Sequence, residues 1–176
     1  MDWVFMVKNE SFMYLTGPDV VKAVLGEEVT HEELGGAMAH ASKSGVCHFV
    51  AEDEPSCIDG VKRLLSFLPD SCHSPLPEMP CEDKADRECP ELDTIIPDKT
   101  NRGYEVKRII AAVADQGDIF EPHEFWGKNM VVAFIRIMGR PVGVVANNPG
   151  FSAGVLNVTA SDKAARFIRF CDSFNI

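Results

Sequence analysis

The chain has 176 residues, of which 45% are hydrophobic, 25% charged and 9% aromatic, as in one ordinary folded domain. Its 27 acidic and 17 basic residues give a net charge of -10 at pH 7, which repels phosphate backbones and makes nucleic acid a poor partner. No stretch contains the roughly 20 apolar residues of a membrane span, and no signal-peptide pattern precedes the first apolar run. We therefore expect a cytoplasmic protein without a membrane span.

Acidic residues and prolines are concentrated in the middle of the chain. Residues 69–99 hold nine acidic and three basic residues and six of the 11 prolines. Proline cannot donate a backbone hydrogen bond and holds the chain extended, so this composition predicts a proline-rich acidic linker over residues 69–98. We expect two domain parts, residues 1–98 with the linker and residues 99–176. Parts this small bury too little surface to be securely stable alone.

The first 68 residues predict alternating strands and helices. Strands are predicted over three short apolar runs: residues 3–7, 12–16 and 46–51. Helices are predicted from a start signal to a glycine or proline stop in three places: Pro18 to Gly26, Thr30 to Gly45 and Pro55 to Pro69. The second helix begins with a capping box formed by Thr30 and Glu33.

After the linker, an amphipathic helix is predicted over residues 106–113. Residues 130–138 and 142–146 are rich in strand-forming residues and predict a hairpin, which ends in an Asn-Asn-Pro-Gly turn. Ser161 is expected to cap a final helix with one apolar face and with Lys163 and Arg166 elsewhere on its surface. The apolar face is expected to consist of Ala164, Phe167, Ile168, Cys171 and Phe174. The fold class is therefore α/β.

The cysteines and histidines give little sign of reactive chemistry. Cys72, Cys81 and Cys89 lack the close pair typical of zinc sites, so we expect reduced thiols and no metal. Cys47 and His48 are neighbours on a predicted strand, where their side chains would point to opposite faces and form no catalytic dyad. The nucleophile elbow, the P-loop and the dinucleotide-binding fingerprint are all missing from the sequence, which makes a hydrolase improbable.

Several stretches resemble the carboxyltransferase (β) subunits of biotin-dependent acyl-CoA carboxylases, typified by propionyl-CoA carboxylase. The matching stretches run in the same order along the chain: residues 17–22 (GPDVVK), 26–30 (GEEVT), 33–37 (ELGGA), 44–48 (SGVCH), 90–97 (PELDTIIP) and 164–172 (AARFIRFCD). A family member is much longer, so the resemblance covers its middle third. The chain is therefore expected to be part of a longer protein.

The resemblance implies a ClpP/crotonase-like fold present twice, with parts of two tandem domains in this chain. Residues 1–98 would end the acyl-CoA-binding domain, and residues 99–176 would begin the carboxybiotin-binding domain. The implied activity is transfer of a carboxyl group from carboxybiotin to the α-carbon of an acyl-CoA such as propionyl-CoA. The implied partners are the biotin carboxyl carrier or biotin carboxylase subunit and further copies of the chain, in a dimer or hexamer with the active site between subunits.

Carboxyl transfer passes through an enolate, which backbone amides in glycine-rich loops can stabilise. In the family these loops precede the position of Met1 and follow that of Ile176. We therefore assign no catalytic residue and expect residues 1–176 alone to be inactive. Two alternatives stay open: a piece of a biotin-dependent acyl-CoA decarboxylase α subunit, and a non-catalytic module that only associates weakly with itself through unpaired sheet edges.

Binding residues are expected around the end of the hairpin. The resemblance implies that Asn147, Asn148, Pro149 and Gly154 line the acyl-CoA or biotin groove and that Lys163 and Arg166 meet anionic groups. The alternative is a plain turn followed by a solvated helix face, which pattern alone favours. His40, Ser44 and Gly45 are weaker groove candidates, and for His40 and His48 a structural role is the better prediction.

Overall fold

The computed structural model describes residues 2–71, 73–97 and 102–176. The chain forms two compact units. The first contains the residues up to Arg63 and His123–Trp126, and the second contains Leu64–Pro122 and Gly127–Ile176. The predicted domain boundary at residues 98 and 99 lies outside the described residues, so that assignment stays a prediction.

The first unit contains a parallel pair of short strands. Strand β1 (Phe5–Val7) pairs with β2 (Phe49–Ala51), and the rings of Phe5 and Phe49 stack at 4.5 Å. Buried apolar side chains form the core beside the strands: Val4, Met6, Ala37, Ala41 and Cys47. The predicted strand over residues 12–16 is wrong, because only Phe12 forms a β-bridge, with Gly36, and the residues that follow are exposed. An apolar run needs a partner strand to become a strand itself.

The helices of the first unit follow their start signals more closely than their stop signals. Helix α1 (Pro18–Leu25) ends at Gly26, and α2 (His31–Gly35) begins with the predicted capping box. The predicted helix from Thr30 to Gly45 is broken at Gly36, where the backbone is extended. It resumes as α3 (Ala37–Ala39) and a π-helical turn (His40–Ser44).

Helix α4 (Glu54–Leu65) begins one residue before the predicted start and ends before Pro69. The described residues that follow, up to Pro97, contain no α-helix or strand and one 3-10 turn, Pro90–Thr94. This segment is packed within the second unit: the backbone N–H of Met79 donates to the carbonyl of Gly139, and the Cys89 thiol donates to the carbonyl of Ala112. It is therefore irregular but attached.

The second unit is built on the predicted hairpin. Helix α5 (Val106–Val113) packs on strand β3 (Met130–Ile137), which pairs antiparallel with β4 (Arg140–Asn147) through a two-residue turn. The core beside α5 consists of Val106, Ile110, Ala114, Val131, Ala133 and Ile135.

Helix α6 (Val158–Phe174) covers the hairpin but differs from its prediction at two points. The N-cap is Asn157, not Ser161, because the Asn157 side chain accepts the Ala160 amide at 2.9 Å. The predicted apolar face is also shifted: Ile168 is exposed, while Lys163 is buried beside Phe167 and Cys171.

Gly26 and Gly45 have similar backbone conformations but different surroundings, so substitutions at the two positions distinguish backbone strain from steric overlap. Both follow a helical segment in the left-handed region, with φ of 73° and 69°. A Cβ at Gly26 meets open space, whereas one at Gly45 would lie 2.5 Å from the Trp126 ring.

Gly45→Ala is therefore expected to lower the free energy of unfolding by about 2–3 kcal/mol, from left-handed strain and overpacking together. Gly26→Ala should cost only the strain, about 1 kcal/mol. Urea denaturation of both variants measures the difference. Equal losses would show that Trp126 does not pack against Gly45.

Candidate functional site

The candidate site is the segment between the hairpin and the last helix, residues 147–157, which we call the 147–157 loop. Strand β4 ends at Asn147 and α6 begins at Val158, so the loop is anchored on both sides by elements of the second unit. Its middle contains three consecutive left-handed residues, Ser152, Ala153 and Gly154, with φ of 46°, 51° and 68°. This conformation is unfavourable for side chains with a Cβ, so the surrounding contacts must hold it.

Asn148 is the main anchor of the loop. Its side chain is only 2% exposed. The Oδ1 atom accepts the amides of Val106 (3.4 Å) and Gly150 (3.3 Å), and Nδ2 donates to the carbonyl of Lys128 (3.2 Å) and to Oε2 of Glu105 (3.4 Å). Asn148 therefore lies beneath the exposed residues of the 147–157 loop and holds the loop from inside the protein. Its predicted contact with a ligand stays a prediction.

The other predicted loop residues lie nearer the surface. Asn147 is exposed and donates from Nδ2 to the carbonyl of Gly154 at 2.6 Å, which bridges the left-handed turn. Pro149 is half-buried, and its carbonyl lies so close to Gly103 that a Cβ there would clash. The sequence thus brings Asn147, Asn148, Pro149 and Gly154 together in one loop, as expected from their proximity in the chain.

Two further asparagines hold the loop and were missed by the sequence analysis. Nδ2 of buried Asn129 donates to the carbonyl of Val155 at 2.5 Å and to Oδ1 of Asn157 at 3.3 Å. Asn157 also caps α6. An asparagine three residues before Ala160 is a recognisable N-cap signal, whereas nothing local marks Asn129, because its partners lie 26 and 28 residues away.

The outer face of the loop is apolar and carries a cation at its edge. Three exposed side chains belong to the loop, Phe151, Val155 and Leu156, and exposed Val158 follows them at the start of α6. Nζ of Lys128 lies 5.6 Å from the centre of the Phe151 ring, at cation–π distance. Such a surface can bind a ligand that combines an apolar arm with an anionic group.

Lys163 differs most from its sequence-based prediction. It is 0% exposed, with Nζ 3.9 Å from Oε1 of Glu121, whose Oε2 is 2.6 Å from Nζ of Lys107. A cation enclosed in this way holds the start of α6 and does not face a surface ligand. Arg166, one turn further along, is half-buried.

The weaker candidates belong to the first unit and are occupied by local hydrogen bonds. Nε2 of His40 donates to the carbonyl of Met13 at 2.5 Å, and Nδ1 lies 2.8 Å from Oγ of Ser44, which also accepts the Val46 amide. The carbonyl of Gly45 accepts from Nε2 of His123. These contacts agree with a structural role for His40.

Reactive cysteine or metal chemistry finds no support in the described part of the chain. Burial raises the pKa of Cys47 to about 11 and that of Cys171 to about 11, so both thiols stay protonated near neutral pH. Cys72 lies outside the described residues. Among those residues, no three histidine, cysteine or acidic side chains are grouped as metal ligands, and no helix has the length and apolar character that a membrane crossing requires.

Asn148→Ala is expected to destabilise the second unit by about 2–3 kcal/mol, because it leaves the buried amide of Val106 without its acceptor and removes three further hydrogen bonds. Asn147→Ala, which removes one bond at an exposed position, should cost about 0.5–1 kcal/mol. Urea denaturation of the two variants provides the comparison. A smaller loss for Asn148→Ala than for Asn147→Ala would contradict the assignment of Asn148 as the anchor.

Lys163→Ala is expected to cost about 3–5 kcal/mol, because it removes a fully enclosed side chain and the cation beside Glu121. Arg166→Ala on the same helix should change stability by less than about 1 kcal/mol. Thermal and urea unfolding test both values. An unchanged stability of Lys163→Ala would show that the lysine has no structural role.

Known proteins are similar to this chain along its whole length. The Carboxyl transferase domain family matches residues 1–176. The methylmalonyl-CoA decarboxylase α subunit of Veillonella parvula is 49% identical over 175 residues, and the propionyl-CoA carboxylase β chain of Roseobacter denitrificans is 48% identical. Both alignments cover 99% of this chain and 34% of the relative, so the chain spans about a third of their length.

A solved structure of transcarboxylase 12S, with hydrolysed methylmalonyl-CoA bound, superposes with a TM-score of 0.94 at 44% identity. The superposed region covers 99% of this chain and 34% of the transcarboxylase chain. The mixed helix and sheet of this chain is therefore the crotonase-like fold of such domains, as the resemblance implied. The chain belongs to the carboxyl transferase domain family.

Proposed function

We propose that the chain forms part of a carboxyltransferase subunit that moves a carboxyl group from carboxybiotin to the α-carbon of an acyl-CoA such as propionyl-CoA. The observation that carries the proposal is the collinear match of 99% of the chain to a propionyl-CoA carboxylase β chain, at 48% identity. The partners proposed with it are a biotin carboxyl carrier or biotin carboxylase subunit and further copies of the subunit. The reaction would take place in the cytoplasm.

The 147–157 loop fits a binding role in this reaction. Acyl-CoA combines an apolar arm with anionic phosphates, and the loop presents apolar Phe151, Val155 and Leu156 beside the Lys128 cation. Carboxybiotin, bound from a partner, would supply the carboxyl group. Asn148 and Asn129 hold the loop in its left-handed conformation before any ligand arrives, so little ordering is needed on binding.

We assign no enolate-stabilising group to residues 1–176. The glycine-rich loops that the family resemblance implies fall outside this range, and one lost oxyanion donor typically lowers the rate by about 100- to 1,000-fold. A polypeptide of these residues alone is therefore proposed to bind without turnover.

The reverse direction is the second candidate. The α subunits of methylmalonyl-CoA decarboxylases from two bacteria are 49% and 46% identical to the chain, values close to those of the carboxylases. Decarboxylation passes through the same enolate, and biotin then accepts the carboxyl group that carboxybiotin donates in carboxylation. Activity must therefore be measured for both carboxylation and decarboxylation.

The test replaces the matching third of the Roseobacter denitrificans subunit with this chain and reconstitutes the enzyme with its biotin-bearing partner. We expect biotin-dependent carboxylation of propionyl-CoA or decarboxylation of methylmalonyl-CoA, and no turnover by residues 1–176 alone. Phe151→Ala should raise KM for the acyl-CoA about tenfold, which corresponds to about 1.4 kcal/mol of lost apolar contact.

Arg169→Ala, at an exposed position of α6 outside the loop, is the matched control and should leave KM unchanged. An assembled chimera that is inactive in both directions would overturn the proposed function. An active chimera in which Phe151→Ala behaves like the control would overturn only the role of the loop.

A further inference from the structure

The first unit contains two buried histidines in ring contact that the proposed site does not use. His48 is 4% exposed and His123 is 3% exposed, and their ring centroids lie 4.2 Å apart. Histidine changes its charge near pH 6.5 in water, within the range of ordinary cellular conditions. Two buried imidazoles at this distance cannot both carry a charge without strong repulsion and desolvation.

The hydrogen bonds of the pair define its protonation state. The amide of Val4 donates to Nδ1 of His48 at 3.1 Å, so Nδ1 carries no proton and His48 is neutral. Nε2 of His123 donates to the carbonyl of Gly45 at 2.8 Å. Protonation of His48 at Nδ1 would place a second N–H donor opposite the Val4 amide, and the hydrogen bond between them would be lost.

The surroundings of the two rings are aromatic. Trp3 packs edge-on against His48 and Trp126 packs against His123, each at 5.1 Å. The charged residues nearest in the sequence are Glu52 for His48 and Glu124 for His123, and both are exposed. The neighbouring thiol of Cys47 stays neutral, because burial raises its pKa to about 11.

His123 begins a four-residue segment, His123–Trp126, that belongs to the first unit although the residues on both sides of it belong to the second. The backbone N–H of His123 donates to the carbonyl of His48 at 2.8 Å. His123 has a φ of 58°, which is unfavourable for a residue with a Cβ. The segment is therefore held by its contacts against local backbone preference.

We propose that the His48–His123 pair is an acid-sensitive latch that holds residues 123–126 on the first unit near neutral pH and releases them as the pH falls. The docked state requires neutral His48, whereas the released rings take up protons below about pH 6.5. Acid therefore favours release. Below that pH, the docking equilibrium weakens by up to about tenfold per pH unit for each ring that gains a proton.

The two tryptophans of the chain, Trp3 and Trp126, report on this latch directly, because protonated imidazole quenches indole fluorescence. We expect the fluorescence of the full chain to change between about pH 5 and 6.5. Over the same range, hydrogen exchange should show loss of protection at residues 123–126 while the amides of α6 stay protected, after correction for the intrinsic exchange rate.

Two isosteric variants remove the charge and keep the hydrogen bonds. His48→Asn keeps an acceptor at the position of Nδ1, and His123→Gln keeps a donor at the position of Nε2. The double variant should lose the fluorescence change, while His73→Gln, at an exposed histidine of the second unit, should retain it.

A flat wild-type profile, or the same transition in the double variant, would overturn the latch. If the double variant fails to fold, hydrogen exchange of the wild type decides. Local opening of residues 123–126 supports the proposal, and simultaneous opening of the whole chain refutes it.

Discussion

The side-chain amide of Asn148 is the contact on which the candidate site depends most. It joins the start of α5, the residues before β3 and the turn after β4, which are separated by 20 to 43 positions in the chain. A buried amide that makes four hydrogen bonds is costly to displace, because its own polar atoms and the buried N–H of Val106 would be left without a partner. The left-handed turn at residues 152–154 can therefore persist, and with it the exposed apolar face of the loop.

Buried polar groups hold three further places where the fold departs from regular structure. Asn129 fixes the end of the 147–157 loop, Lys163 and Glu121 fix the start of α6, and His48 meets His123 in the first unit. Apolar packing alone tolerates small shifts, whereas a buried polar group requires its partner at hydrogen-bond distance. These groups give the chain a defined geometry at the cost of sensitivity to substitution and, for the histidines, to acid.

Buried polar groups of this kind are consistent with membership of the carboxyl transferase domain family. Carboxyl transfer requires ordered backbone amides around an enolate. Side chains that hold loops in place therefore matter more than reactive side chains. The raised pKa values of Cys47 and Cys171 fit this picture, since protonated thiols near neutral pH add no competing nucleophile. The loop to which we propose a binding role is preformed and rests on buried Asn129 and Asn148.

The sequence alone determined the elements whose signals are local: the capping box of Thr30 and Glu33, the stop at Gly26, the hairpin of β3 and β4, and the family. Only the tertiary structure decided which residues are enclosed. The run at residues 12–16 forms no strand because only Phe12 has a β-bridge partner, and Lys163 is buried with its Nζ near Glu121, 42 positions earlier. Local patterns record hydrogen bonds over a few residues, whereas burial depends on distant segments that no pattern within one element can specify.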